Sequence, residues 1–283
     1  MTTLRERMTS DLRIRNYSPR TIDAYVRQVA QFAEYYGRSP ADLGPEQIRG
    51  FQVHLVEERG LSWSTLNNTV CALRVFYRVT LRRDWLVDHI PYAKRPKTLP
   101  VVLGRDETLR FLDALKHPLH RVILMTTYSA GLRVSEAVSL QVHNIDSDRM
   151  LIHVTGKGSK DRYVPLSPLV LELLRAHWKL TRSQRWLFPG QRPDQHLSSR
   201  TVQRACRSAA EAAGIGKRVT PHTLRHSFAT HLLERNINIR TIQKLLGHKK
   251  IETTSLYTHV TSDVLRQTAS PLDTLLASSE STE

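Results

Sequence analysis

TPHTLRHSFATHL, residues Thr220–Leu232, sets three histidines and one arginine within thirteen positions. Such a stretch admits a metal site, a solvated polar face, or a pocket that needs arginine as much as histidine. Thr220 is a capping residue and Pro221 suits a first helical position, so a helix is predicted from there. Advancing about 100° per residue from His222 places Leu224, Phe228, Ala229, Leu232 and Leu233 on one apolar arc. Arg225 falls inside that arc. His222 lies near its edge, His226 just beyond, and His231 on the opposite side. Three histidines so spread make a poor metal site. The His222/His226 pair also lacks the glutamate of an HExxH zinc helix, and Arg225 would repel a dication. No metal or other cofactor is expected, and His226 and His231 read as incidental to the chemistry. A guanidinium on a packed face keeps its charge and needs an anionic partner. An internal carboxylate is one such partner. A phosphate at the first turn, where free N–H groups and the helix dipole attract anions, is another.

Three further stretches carry basic groups suited to the same anion. In SAGLRVSEAVSL (Ser129–Leu140) Gly131 breaks one helix, and Arg133 opens the next with Glu136 one turn on to steer it. TGKGSKDRYVPL (Thr155–Leu166) places Lys157 and Lys160 on a glycine-rich hairpin turn. In LLGHKKIETTSLYTHV (Leu245–Val260) Gly247 ends a helix, His248 follows it, and Tyr257 comes nine residues later. Each has a plain reading alone: a surface Arg–Glu pair, an ordinary basic turn, a half-buried tyrosine.

Charge narrows the class of partner. The chain holds 42 Lys and Arg against 26 Asp and Glu, a net +16, which favours a polyanion such as nucleic acid. The first 97 residues carry 16 basic and 10 acidic side chains and the rest 26 and 16, so no single tail holds the excess. A ribosomal or membrane-surface protein would share this sign. Cys71 and Cys206 fall in helical patterns without a CxxC and read as small buried hydrophobes. The opening MTTLRERMTSDLRIRNY lacks an apolar signal core, and no apolar run reaches 18 residues. The expectation is a cytoplasmic, nucleoid-associated protein with no membrane partner.

The chain divides in two. Residues 1–88 read as a compact helical domain with helix starts at Ser18-Pro19, Pro45 and about Ser64. Its exposed faces are expected to carry Arg13, Arg15, Arg20, Arg27, Arg74, Arg78, Arg82 and Arg83, which as a set fit phosphate contacts. HIPYAKRPKTLP (His89–Pro100), with Lys94 and Arg95, is a linker rich in proline and basic residues. A second domain, 101–265, holds helices near 105–116, 119–130, 133–141, 168–181, 199–213, 221–235, 239–246 and 253–260 around the β-hairpin. The tail, 266–283, is polar apart from the apolar knob PLDTLL. That knob folds back on its own domain or docks on another protomer.

In order and local context, Arg133, Lys157, His222-x-x-Arg225, His248 and Tyr257 resemble the catalytic set of the tyrosine recombinases, the phage integrase family. GLRVSE, GKGSKDR.VPL, HTLRHSFATHLL, LLGH and YTHV are especially similar to the bacterial Xer-type members and mobile-element integrases. The resemblance covers nearly the whole chain. It implies a mainly α fold: an N-terminal helical, SAM-like core-binding domain and a mostly α catalytic domain with a small β-hairpin or sheet. The implied reaction is site-specific strand exchange. Tyr257 would attack a DNA phosphate, leaving a 3′-phosphotyrosyl enzyme and a free 5′-hydroxyl, with no ATP. Arg133 and Arg225 would hold the phosphate oxygens, Glu136 would steady Arg133, and Lys157 would protonate the leaving group. His222 would take a proton or position the phosphate, and His248 would donate a further hydrogen bond. DNA contacts are expected at Arg20, Arg27, Arg74, Arg78, Lys94, Arg95 and Lys160. The implied partners are double-stranded DNA at two recombination sites and a homo-tetramer passing through a Holliday junction, with or without a paralogous recombinase. Ser270–Leu276 is the candidate for reaching a neighbouring protomer. A type IB topoisomerase, a non-catalytic DNA-binding protein and a metal-dependent nuclease are the rival classes.

Overall fold

The computed structural model describes residues 2–88, 90–94, 99–156, 161–192, 194–248, 250–255 and 257. Arg95, Lys157, Lys160 and the PLDTLL segment lie outside them. The chain forms two compact units, Met1–Lys97 and Thr98–Glu283.

The first unit is helical: α1 (Thr2–Ile14), α2 (Pro19–Tyr36), α3 (Pro45–Glu57), α4 (Trp63–Val75) and a short α5 (Asp84–Val87). Ser18 caps α2 by accepting a hydrogen bond from the Thr21 N–H, Pro19 opens it, and Gly37 closes it at φ 60°. Met8 and Leu12 of α1 meet Ile22, Val26, Val29 and Phe32 of α2, Phe51 and Leu55 of α3, and Leu66, Val70 and Leu73 of α4 in one core. α4 continues into a π-turn, Phe76–Thr80, that turns Tyr77 inward. The buried Tyr77 hydroxyl donates to the Pro40 and Leu43 carbonyls at 2.7 and 3.1 Å.

Arg74 and Arg83 depart from the expected exposed face. Arg74 Nη1 donates to the Val87 and Ile90 carbonyls at 2.7 and 2.8 Å, and its guanidinium lies 5.0 Å from the Tyr92 ring. Arg83 Nη1 donates to the Ala41 carbonyl at 2.6 Å. Both close carbonyls that turns and helix ends leave without intrahelical partners. Arg74 is therefore committed to the fold, which corrects its reading as a phosphate contact. Arg13, Arg15, Arg20, Arg27, Arg78, Arg82 and Lys94 are exposed. Arg5, Arg13, Arg20 and Arg27 line one groove of about 890 Å³ between α1 and α2.

The second unit places α6 (Arg105–Asp113), α7 (Pro118–Ser129) and α8 (Val134–Val138) before a three-stranded antiparallel sheet, β1 (Ile145–Asp146), β2 (Leu151–Thr155) and β3 (Asp161–Pro165). There follow α9 (Pro168–Thr181), α10 (Ser199–Ala212), α11 (Pro221–Glu234), α12 (Ile239–Leu246) and α13 (Glu252–Ser255). β1 adds a third strand to the expected hairpin. α7 is its centre, with Val122, Ile123, Leu124 and Met125 all buried in one core with Ile152, Val154 and Val164 of the sheet. The register pairs Val154 with Arg162, so Arg162 stands on the sheet's core face.

α11 is buried further round than one apolar arc. Thr223, Ser227 and Thr230 are buried as well as Leu224, Arg225 and Ala229. Ser227 donates back to the Thr223 carbonyl at 2.9 Å and accepts from the Leu103 N–H at 2.9 Å. Hydroxyls that bond to nearby backbone, as those of Thr223 and Ser227 do, can be buried cheaply, so polarity alone misplaced this face. No helix among the described residues is long and apolar enough to cross a membrane.

Candidate active site

The site is assembled from the ends of four elements in the second unit. α7 stops at Gly131, whose φ of 60° needs glycine. A Cβ there would also come within 2.5 Å of the Phe228 ring on α11. The chain re-enters a helix at Arg133, which caps α8. Its N–H donates to Glu136 Oε2 at 2.8 Å, and its Nη1 donates to Oε1 at 2.7 Å. α12 ends at Gly247, again left-handed at φ 63°, and delivers His248.

Glu136 is the hub. It is 7% exposed and is gripped by a second arginine: Arg162 Nη1 and Nη2 donate to its two oxygens at 3.0 and 2.8 Å. Arg225 Nη1 stands 3.7 Å from Oε2. Burial alone would raise the Glu136 carboxyl. The hydrogen bonds from Arg162 and from the Arg133 N–H, followed by the charge of Arg162, outweigh it and hold the group at about 2.

That depression makes the cluster acid-sensitive. The unfolded chain binds this proton more tightly than the folded one, so stability drops as pH falls from 4.5, the group's ordinary value, toward about 2. Urea unfolding of wild type and Glu136→Gln across that window should show their stability gap shrinking by about 3 kcal/mol. A gap constant with pH would show that the folded protein does not hold the Glu136 carboxyl below its ordinary value.

Arg225 is 3% exposed and lies where the helix reading put it, on the packed side of α11. Its Nη1 donates to the Gly131 carbonyl at 2.6 Å and its Nη2 to the Leu246 carbonyl. The partners are thus the carbonyl-rich ends of α7 and α12, with Glu136 beside them. Burial, then the charge of Arg133, lowers the Arg225 guanidinium to about 10, still cationic at neutral pH.

Tyr257 is 2% exposed, packed with Ala229, Ile242 and Leu246. Its hydroxyl lies 3.0 Å from His226 Nδ1, within hydrogen-bond distance. His226 therefore touches the candidate nucleophile, which corrects its reading as incidental. His231 does serve packing: its Nδ1 is 2.9 Å from the Tyr128 hydroxyl. His248 stacks toward the tyrosine at 6.4 Å between ring centres, and its Nδ1 is 3.0 Å from the buried Thr254 hydroxyl. Burial pushes His226 and His248 down to about 4, so both rings are neutral at physiological pH. Partial burial, then Arg225 and Arg133, lowers His222 as well. Burial raises the Tyr257 hydroxyl, while Arg225 and Arg133 pull it the other way.

Arg133, Glu136, Arg162, Gly247 and His248 line an open cleft of about 1240 Å³. Tyr257 and Arg225 are buried and are not among the described residues that line it. The structure thus brings together Arg133, Glu136, Arg225, His248 and Tyr257. Three participants escaped the sequence reading: Arg162, His226 and Thr254. Arg162 had a usable signal, since it alternates with the apolar Val164 on the inward side of β3. Among the described residues no group of three or more His, Cys, Asp or Glu side chains could hold a metal ion. Arg133, Arg162, Lys244 and Lys250 against Glu136 and Asp161 give this cleft an excess of positive charge, suited to a phosphodiester.

Comparison with known proteins places the fold first. It is similar to that of a lambda integrase (75–356) dimer bound to a COC′ core site, with a TM-score of 0.72 over 91% of this chain and 94% of the other. At 21% identity that is a likeness of fold alone. The sequence pattern of the phage integrase family matches residues 102–263, and that of the phage integrase N-terminal SAM-like domain matches residues 4–86. The chain belongs to the phage integrase family of tyrosine recombinases. It is 45% identical to a putative integrase/recombinase of Sinorhizobium fredii, over 97% of this chain and 90% of the relative. It is 38% identical to tyrosine recombinase XerA of Thermococcus kodakarensis, over 93% of this chain and 92% of the relative.

Proposed function

We propose that this protein is a site-specific DNA recombinase that cuts and rejoins DNA strands through a 3′-phosphotyrosyl bond on Tyr257. The observation that carries this is the cleft: arginines held by one buried carboxylate, with a tyrosine hydroxyl enclosed behind them. Neutral tyrosine is a weak nucleophile, with a pKa near 10 when unperturbed. Attack on phosphorus builds negative charge on the non-bridging oxygens. Arg133 and Arg225 are the groups to meet it, and Glu136 fixes Arg133 before the charge appears, which is electrostatic preorganisation. His248 adds a hydrogen bond. His222 takes the tyrosine proton or positions the phosphate, while Lys157, as general acid, protonates the departing 5′-oxygen. The rejoining step reverses these roles, with the 5′-hydroxyl of a partner strand attacking the phosphotyrosine. One phosphoester replaces another throughout, so no ATP is consumed. Because Tyr257 is enclosed and bonded to His226, its hydroxyl must leave that contact to reach a phosphate in the cleft.

Affinity for duplex DNA comes mainly from phosphate contacts and falls steeply with salt. Arg20, Arg27, Arg78, Lys94, Arg95 and Lys160 are the contacts we assign. Residues 1–88 act as the core-binding domain and 101–265 as the catalytic domain, joined by the linker 89–100. Two DNA sites are exchanged within a tetramer through a Holliday junction, with or without a paralogous recombinase, and the 266–283 tail contacts a neighbouring protomer. The workplace is the nucleoid in the cytoplasm.

A nicked suicide substrate tests the reaction class. The nick releases a short fragment on cleavage, so the religating 5′-hydroxyl is lost and the enzyme stays attached. Wild type should form a denaturant-resistant protein–DNA adduct without nucleotide cofactor and in excess chelator. Cleaved DNA free of protein, or cleavage abolished by chelator, would favour a metal-dependent nuclease instead.

A further inference from the structure

Arg162 has no part in the chemistry described above, yet its guanidinium makes three hydrogen bonds within the site. From the core face of β3 it reaches both oxygens of Glu136, and its Nε donates to the Leu245 carbonyl at 2.7 Å in the last turn of α12. Its aliphatic stem runs beneath Gly247: a Cβ at that glycine would stand 3.2 Å from Arg162 Cδ. The side chain is only 9% exposed, against 35% for Arg133. All three of its nitrogens donate within the protein, while Arg133 places one nitrogen on Glu136 and faces the cleft. These are the features of a brace rather than a ligand.

We propose that Arg162 is the positioning residue for the phosphate-binding arginine Arg133, acting through Glu136. This rests on the function argued above. A carboxylate gripped on both oxygens by a planar fork has one orientation, and Arg133 is then aimed by that orientation. Lysine cannot replace the fork. Its single ammonium can neutralise Glu136 but cannot span two carboxylate oxygens and the Leu245 carbonyl together. With the fork gone, Glu136 can rotate toward Arg225, now 3.7 Å away, and leave Arg133 unsteered. The same loss frees the last turn of α12, which delivers His248.

The test is a double-mutant cycle on single-turnover cleavage, with DNA affinity and melting temperature followed in parallel. Arg162→Lys should bind DNA as wild type does and cleave roughly 10²-fold more slowly, comparable to losing one preorganised donor. Arg133→Lys should lose about as much. The pair Arg133→Lys/Arg162→Lys should be no slower than Arg133→Lys alone, because a residue acting through Arg133 has nothing left to position. Multiplied losses in the pair would overturn the proposal, and so would wild-type cleavage by Arg162→Lys. An Arg162→Lys protein that no longer melts cooperatively would overturn it too, assigning Arg162 to fold stability. Wild-type cleavage by Arg133→Lys would instead fault the reading of Arg133 as a phosphate ligand. Arg162→Ala, which also strips a charge from Glu136, should melt lower than the lysine variant and cleave no faster.

Discussion

Tyr257→Phe should fold, bind its DNA site with wild-type affinity, and form no covalent adduct with a nicked suicide substrate. The substitution suits the pocket. Tyr257 packs in an apolar setting of Ala229, Ile242 and Leu246, so a phenyl ring keeps that burial and loses the contact with His226. Losing one such hydrogen bond costs about 1 kcal/mol, small enough to leave the fold intact. The chemical effect is total, because phenylalanine offers no oxygen for a phosphoester. Denaturing gels report the adduct and gel-shift titration reports binding. An adduct formed by Tyr257→Phe would show that Tyr257 is not the nucleophile.

Replacing Arg225 with lysine should lower single-turnover cleavage by about 10²–10³-fold, the usual effect of removing one donor to a developing oxyanion. The charge survives, but the fork does not. Arg225 donates to the Gly131 and Leu246 carbonyls from two nitrogens at once, tying the end of α7 to the end of α12. Lysine has one nitrogen and can satisfy only part of that demand, and a buried carbonyl left unpaired costs about 1–3 kcal/mol. The melting temperature should therefore fall together with the rate. Comparing single-turnover rates with thermal denaturation separates the two effects. Lysine-variant cleavage within tenfold of wild type would show that Arg225 does not meet the phosphate.

The helices were legible because their ends are chemically marked. Ser18-Pro19 and Thr220-Pro221 start helices, and Gly37, Gly131 and Gly247 stop chain segments at positive φ. The inward placement of Arg225 followed from periodicity alone, and the coupling of Arg133 to Glu136 from spacing. What stayed hidden depends on distant partners. Arg74 reads as a surface arginine because the carbonyls it closes, Val87 and Ile90, lie 13 and 16 residues further on. His226 reads as an edge residue because its partner Tyr257 arrives 31 residues later, in a short segment with little pattern. Arg162 was masked by the basic turn it follows, although its alternation with Val164 marks it as inward. Thr223, Ser227 and Thr230 count as polar in any periodicity, yet α11 buries them.

If Tyr257 carries the DNA through a 3′ link, the suicide adduct shows it directly. Trapped wild-type protein, digested with protease and nuclease, would be sequenced by mass spectrometry. The expected product is a nucleotide joined by its 3′-phosphate to Tyr257, with a free 5′-hydroxyl on the released strand. A nucleotide on any other residue, or one joined through its 5′-phosphate, would contradict it.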